Sequence, residues 1–369
     1  MIKLWNKSKN KKAILIIGIL LIIIGILSYY FVSNNEEYYK KTIVKITYID
    51  KESTHLQDIN NQNITAVIMN GNHKGEKIIL ENSTSFAGLF DQEYNLNDEI
   101  FVSIKENENG MIISSRIDGY KRDKYLAYVV ILFVLLILLV GRAKGFRSLA
   151  SVIVNILLFC CVIRLYLYGY NLFLVTSIMN ILFIVISIFI VSGYNKKSFC
   201  AIIGTIVSMI ITMLITFIVV WITHSEGIHY EEMEFLMTSP EEIFFVGIMI
   251  GTIGAIIDIA ITMASCISEL LVQNPNIKRE ALIKSSMEVG KDIMATNANT
   301  LVFVYISGSI PIILFWLLNG VSFSYILNIG ISLEIIRALI GSIGVVISIP
   351  ITLYISVLLL GKYKLGGVK

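Results

Sequence analysis

Asp258 is the residue in this sequence most able to do chemistry where chemistry is not expected. It interrupts an apolar run, Ile243 to Leu271, that is long enough to cross a bilayer. Gly247, Gly251, Gly254, Ala255, Asp258, Thr262, Ser265 and Glu269 recur at three- and four-residue steps, which places them on one face of a helix. The small residues, Gly247, Gly251 and Gly254, permit close approach of a second helix, and the polar ones continue the stripe. At 1.5 Å per residue Asp258 lies roughly 22 Å from the start of the run, near mid-membrane. An ionised carboxylate there costs at least about 2.5 kcal/mol, so it needs a partner, a water cavity or a proton. The predicted role is exchange of a proton or cation. The plainer alternative is a neutral Asp that hydrogen-bonds helices together.

The next apolar run begins with unusual polarity, Lys291-Asp292-Ile-Met-Ala-Thr296-Asn-Ala-Asn299-Thr300. Asp292, Thr296 and Asn299 share a face at steps of four and three. Their carboxylate, hydroxyl and amide oxygens are hard ligands, suited to a proton, Na⁺ or another hard cation. Beyond them Gly308-Ser309-Ile310-Pro311 can loosen the helix, because proline removes a backbone hydrogen bond. The alternative for Asp292 is an interfacial pair with Lys291 or Lys284.

Other polar residues give weaker signals. Arg164 and Glu334 lie near span ends, where a mutual pair or interfacial anchoring would serve. The stretch Thr223 to Glu242 holds His224, Glu226, His229, Glu231, Glu232, Glu234, Glu241 and Glu242 without tight metal-ligand spacing, so a solvated acidic loop is expected. His55 and His73 read as solvated loop residues. The cysteines, Cys160, Cys161, Cys200 and Cys266, lie in apolar runs and read as small core residues. No metal or cofactor is predicted. With no His inside a span and only isolated Asp residues, an enzyme is not expected.

The elements that position these groups follow from composition. The chain has 369 residues, 56% hydrophobic and only 15% charged, against about 25% charged in a soluble domain. Its mean hydropathy is +0.76. A soluble globular protein is excluded, and the net charge of +3 supplies no field for nucleic acid. Lys3, Lys7, Lys9, Lys11 and Lys12 precede the apolar run Ala13 to Val32, a predicted signal anchor. Further spans read as Tyr125 to Val140, Leu149 to Tyr168, Leu172 to Gly193, Phe199 to Ile222, Ile243 to Leu271, Ile293 to Leu318 and Leu333 to Leu360. About eight spans put both termini on one side. Arg142, Lys144, Arg147, Lys196, Lys197, Lys278, Arg279, Lys284, Lys362 and Lys364 make that side cytoplasmic by the positive-inside rule. Lys121, Arg122 and Lys124 oppose this assignment locally.

The fold class predicted is therefore an α-helical polytopic membrane protein, N-in and C-in, with a small extracytoplasmic all-β domain between its first and second helices. Residues 1–32 are the basic N-terminus and anchor, 33–123 the β-rich domain and 124–369 a seven-helix membrane domain. Strands are expected at Thr42 to Asp50, Thr65 to Met69, Lys77 to Leu80, Glu99 to Lys105 and Met111 to Asp118, with turns at Asn70-Gly71 and Asn109-Gly110. A small barrel or open sandwich fits them. Ile277 to Gly290 is basic and amphipathic, and is expected on the cytoplasmic surface. Gly251 to Thr262 and Gly341 to Thr352 match as a parallel repeat with Asp258 opposite Ser348, although chance similarity of Gly/Ile-rich helices explains this as well.

Gly251-Thr-Ile-Gly-Ala-Ile-Ile-Asp258-Ile-Ala with Ser265 to Glu269, then Gly290-Lys-Asp292-Ile-Met-Ala-Thr296-Asn-Ala-Asn299-Thr300, Tyr305, Gly308 and Pro311, together resemble the YibE/F-like family of bacterial multi-pass membrane proteins. Gly341-Ser-Ile-Gly and Pro350 agree with it. The resemblance implies the bacterial plasma membrane and supplies no substrate. The glycine-rich helix with a central Asp is also similar to proton-driven export permeases of the resistance-nodulation type. The expected function is a transporter of an unidentified small solute or ion, proton- or cation-coupled through Asp258 with Asp292, Asn299, Thr296 and Thr262. The rival is a non-transporting scaffold or envelope-assembly factor that binds a protein through its β-domain. The lipid bilayer is the expected surrounding, a homo-oligomer an expected assembly, and nucleic acid no partner.

Overall fold

The computed structural model describes residues 34–53, 59–85, 92–107, 110–225, 227–230, 233 and 239–365, with isolated positions between 23 and 32. The basic N-terminus, most of the first predicted span, His55, Asn109, Glu226, Glu231, Glu232 and Glu234 lie outside the described residues. Two compact units divide the chain, Met1–Gly145 and Phe146–Lys369.

The first unit holds strands β1 (Thr42–Ser53), β2 (Ile59–Ile68), β3 (Lys77–Ser85), β4 (Glu99–Glu106) and β5 (Ile112–Tyr120). They form one antiparallel sheet in the order β3-β2-β1-β4-β5. Alternating apolar residues make the inner face: Val44, Ile46, Ile64, Ala66, Ile68, Ile78, Leu80, Ile100 and Val102 are all buried with Tyr94. Register shifts at Ile46/Tyr48 and Phe101/Val102 bend the sheet. The Ser115 hydroxyl of β5 donates to the Ile79 carbonyl of β3 at 3.1 Å, so the sheet curls toward a partly closed barrel. The predicted Asn70-Gly71 turn is present, with Gly71 at φ 78°. Asn70 is buried there and ties the entering chain down, accepting from Ile43 N and donating to the carbonyls of Glu36, Tyr39 and Lys41.

Among the described residues, six helices are long and apolar enough to cross a membrane: α1 (Asp123–Leu167), α2 (Leu172–Ser192), α3 (Lys196–Ile222), α4 (Pro240–Gln273), α5 (Arg279–Leu318) and α6 (Ser332–Leu365). Helix α1 is broken at Arg142, whose φ of 48° and ψ of −126° are not helical. Just beyond, Gly145 packs against the Ile137 carbonyl, where a Cβ would collide. The break separates the apolar stretches expected at 125–140 and 149–168. Helix α5 runs on from Arg279 without interruption, so most of the amphipathic segment 277–290 forms its first part. The reason is a spacing of four: Leu282, Ser286 and Gly290 are all buried, and Leu282 joins the core of Ile259, Met263, Ile267, Ile349 and Leu353.

Small residues set the packing of α3, α4 and α6. Thr352 of α6 lies over Gly204 of α3, its Oγ1 2.6 Å from where a Cβ would stand, and Thr212 lies 3.1 Å from the corresponding point on Gly344. Gly204, Ser208 and Thr212 on α3 thus lie opposite Thr352, Ser348 and Gly344 on α6 in antiparallel register, the small-residue seam by which membrane helices approach closely. Each α3 hydroxyl donates to the carbonyl four residues back. None then needs a partner from lipid. Gly341 and Gly344 meet Thr252 and Ile256 of α4, so α4 and α6 run parallel. The two segments matched as a repeat are therefore neighbours, but Ser348 is fully buried whereas Asp258 is exposed.

Replacing Gly204 by Ala should lower the stability of the detergent-solubilised protein by about 1–3 kcal/mol, the range for overpacking. Gly254, with nothing within 4 Å of its Cβ position, should tolerate the same change or gain up to about 1 kcal/mol from helix propensity. Thermal unfolding of the two variants checks the contrast, and equal midpoints would contradict the seam.

Candidate functional site

Helix α4 places its apolar residues in two directions. Ile259, Met263 and Ile267 pack with α6, while Ile253, Ala260 and Ala264 pack with Ile184 and Ile188 of α2 and Ala201 of α3. At 3.6 residues per turn the opposite face is the stripe Gly247, Gly251, Gly254, Asp258, Thr262, Ser265 and Glu269. Gly251, Gly254, Asp258 and Glu269 are exposed and the others partly so.

Polar groups from two other helices lean over the upper part of this stripe. The Arg337 guanidinium of α6 stands over Gly247, its Nε 3.6 Å from the Cβ position. Arg337 donates to Glu334 three residues earlier and lies 5.9 Å over the Phe244 ring. One turn further along α4, the Tyr305 hydroxyl of α5 presses on Gly251 too closely for any side chain there. That hydroxyl is buried and meets no hydrogen-bond partner among the described residues. Asp258 follows two turns below. Its carboxylate likewise meets no donor among the described residues, and Thr262 gives its hydroxyl to the Asp258 main-chain carbonyl at 2.8 Å.

Asp292, Thr296 and Asn299 share a face of α5, and all are exposed. That face lies roughly opposite the buried Gly290 and Leu301, which pack toward α4 and α6. No hydrogen bond or ion pair among the described residues joins them to Asp258. The Thr300 hydroxyl bonds the Thr296 carbonyl at 2.8 Å, and Lys291 pairs with Glu288 at 2.9 Å rather than with Asp292. Glu334 likewise pairs with Arg337 and not with Arg164, which is exposed. The residues that sequence reasoning did not place at the site are Tyr305, Arg337 and Glu334. An Arg and a Glu one turn apart inside an apolar run were the available signal.

Outside the helical unit, two of the three cations that oppose the predicted orientation form ion pairs. Lys121 and Lys124 both donate to Glu99, at 2.9 and 2.6 Å. Both cations therefore have Glu99 as an ion-pair partner. His73 bridges Glu76 and Glu106 at 3.1 Å each, and the flanking carboxylates raise its pKa despite some desolvation. Among the described residues no group of three or more His, Cys, Asp or Glu is placed to hold a metal ion.

Family models match nearly the whole architecture: YibE/F-like protein over residues 129–362 and YibE/F family N-terminal domain over residues 37–120. The chain belongs to the YibE/F-like family. The two matched stretches coincide with the helices from α1 onward and with the five-stranded domain, and the first contains the α4 stripe with Asp258, and also Asp292. No curated protein and no solved structure matches the chain.

Proposed function

We propose that this YibE/F-like membrane protein is a permease-like transporter of the bacterial plasma membrane that exchanges protons or hard cations along the outward face of α4. The observation that carries the reading is the order of polar groups on that face. Glu334 and Arg337 stand at Gly247, the unpartnered Tyr305 hydroxyl at Gly251, and Asp258 at mid-helix, with Thr262 and Glu269 continuing beyond. Donors and acceptors one to two turns apart, with water bridging the wider gaps, suit a proton relay, and an unpaired carboxylate within an apolar span marks an ion pathway by default. In this arrangement the β-domain is extracytoplasmic and both termini are cytoplasmic. Asp292, Thr296 and Asn299 serve as a second polar face. A carboxylate facing hydrocarbon is costly, so a second copy of the chain or a water-filled crevice covers these faces in the bilayer. The test is direct. Proteoliposomes holding the protein, given an imposed pH gradient, should dissipate it faster than protein-free vesicles; equal rates with H⁺, Na⁺ and K⁺ all supplied would overturn the reading.

One observation favours the scaffold reading. Strands β3 and β5 are both sheet edges, and between them lies a groove of about 1170 Å³ lined by exposed Ile79 and Ile113 with Glu81, Arg116, Asp118 and Arg122. Edge strands beside a groove are a surface on which an extended partner segment can add. Deleting residues 36–122 separates the two: a transporter keeps flux across the vesicle membrane, whereas a scaffold loses its role entirely.

A further inference from the structure

His73 sits in the connection between β2 and β3, where backbone bonds fix a compact turn: Lys74 N donates to the Gly71 carbonyl, Gly75 N to that of Ile68 and Glu76 N to that of His73. Both ring nitrogens are engaged. Nδ1 lies 3.1 Å from the Glu76 carboxylate in the same turn, and Nε2 lies 3.1 Å from the Glu106 carboxylate at the end of β4. Strands β2 and β4 are not neighbours, since β1 runs between them. Both groups stand at the end of the sheet where β1 begins, because β2 finishes with Ile68 opposite Val44 and β4 runs past the Thr42 to Val102 pair. The imidazole thus joins two connections, β2–β3 and β4–β5, from either side of β1.

Proton counting decides when this bridge can exist. An ionised carboxylate only accepts hydrogen bonds, whereas a neutral imidazole has one N–H and one lone pair. The neutral ring therefore satisfies one carboxylate and turns a lone pair toward the other. Only the imidazolium donates to both. The charged groups acting on the ring are Glu76 of its own turn and Glu106 of β4, and both favour the protonated form. The adjacent cation, Lys74, pairs with Glu37 at 3.1 Å, and Lys41, just before β1, pairs with Asp118 of β5 at 3.1 Å. Both carboxylates of the bridge are exposed, so the bulk pH reaches them.

We propose that His73 is a proton-operated latch of the β-domain: charged, it ties the β2–β3 turn to the end of β4, and neutral, it lets Glu106 go. Glu76 is the partner kept. It lies three residues away in a turn already closed by backbone bonds, whereas Glu106 is 33 residues away and its bond must hold two separate segments together. The carboxylates move the change above the ordinary histidine value of 6.5. The latch is closed below that value and opens as pH rises through the folded-state one. What it frees is the β4–β5 turn, which is otherwise held by Asn107, donating to the Met111 carbonyl and accepting from Met111 N. That turn leads into β5, an open edge of the sheet. The latch belongs to the β-domain alone and operates whether or not the helices carry ions.

The test is hydrogen exchange of the full-length protein in detergent from about pH 5.5 to 8.5, across the histidine range, with protection taken relative to the intrinsic rate at each pH. Peptides spanning residues 104–113 should lose protection roughly two- to fivefold on the basic side, the range for an exposed ion pair, while β1 peptides hold theirs. His73→Phe removes both donors and should show the lower protection throughout. Glu106→Gln is the sharper variant, because its amide nitrogen can donate to the neutral ring and its oxygen can accept from the charged one. Its protection should stay high at both ends of the range. Wild-type protection that is flat with pH, a loss shared by every strand, a step that survives in His73→Phe, or a Glu106→Gln protein that exchanges like His73→Phe would overturn the proposal.

Discussion

Asp258→Asn should abolish pH-gradient-driven flux through the reconstituted protein, with a fall of roughly 10²-fold, the low end of what a positioned proton-transfer group supplies. The substitution keeps the shape of the side chain and its hydrogen-bonding capacity but removes the ability to take and release a proton. It should not harm folding, because an uncharged amide is easier to hold in the bilayer than a carboxylate. Asp258→Glu should retain part of the flux. Tyr305→Phe removes the one hydroxyl that leans over the stripe at Gly251 and should slow transfer less severely. Asp292→Asn should have the smallest effect of the three non-conservative changes, because its face of α5 is turned away from Gly290 and Leu301. The measurement is internal pH reported by an entrapped dye, with potassium and valinomycin clamping the membrane potential. Wild-type flux in the Asp258→Asn protein would remove the mechanism, and a loss matched equally by Asp292→Asn would move the pathway to α5.

How far these arrangements were legible in the sequence depends on what kind of neighbour each residue has. Helix α4 was legible because its own periodicity separates the Gly247-to-Glu269 stripe from its apolar residues, and that separation is internal to one helix. The position of Asp292 was not. Spacing shows that Asp292, Thr296 and Asn299 share a face, but only the burial of Gly290 and Leu301 decides where that face points. The first half of β2 was missed for a different reason. Ile59-Asn-Asn-Gln-Asn-Ile64 has poor strand propensity, and tertiary pairing overrides it. It is held between β1 and β3, with buried Gln62 accepting from Tyr94 N, donating to Tyr94 O and accepting from Asn82. The small-residue seam was visible in principle as Gly204, Ser208 and Thr212 at four-residue steps. Its meaning required the matching steps on α6, which are far away in the chain.

The largest stability effect expected in the β-domain comes from Glu99. Lys121 is 1% exposed at its side chain and Glu99 12%, so their 2.9 Å ion pair is held away from water. Tyr39 adds its ring face 5.8 Å from the same ammonium, and Asp123 stands 3.7 Å away. Glu99→Gln leaves the ammonium with the more distant Asp123 as its only charged partner, and breaking a buried pair in this way costs about 3–5 kcal/mol. Lys124, more exposed at 32%, loses a partner at little further cost. Removing both ends together should be far milder: Glu99→Leu with Lys121→Met replaces the pair by apolar groups of similar volume, which is often neutral. Burial pushes the Glu99 pKa up, but the hydrogen bonds and charges of Lys124 and Lys121 outweigh it, and the carboxyl ends below its usual value. A depressed folded-state pKa contributes stability that is present above the unfolded value of about 4.3 and is lost as pH falls through the folded one. Hydrogen exchange of β4 and β5 in the full-length protein should therefore be slow at neutral pH and accelerate on acidification below about pH 4. In Glu99→Gln it should already be fast at neutral pH, and the double variant should restore slow exchange at both. If the single and double variants exchange alike, the pair is not what holds these strands.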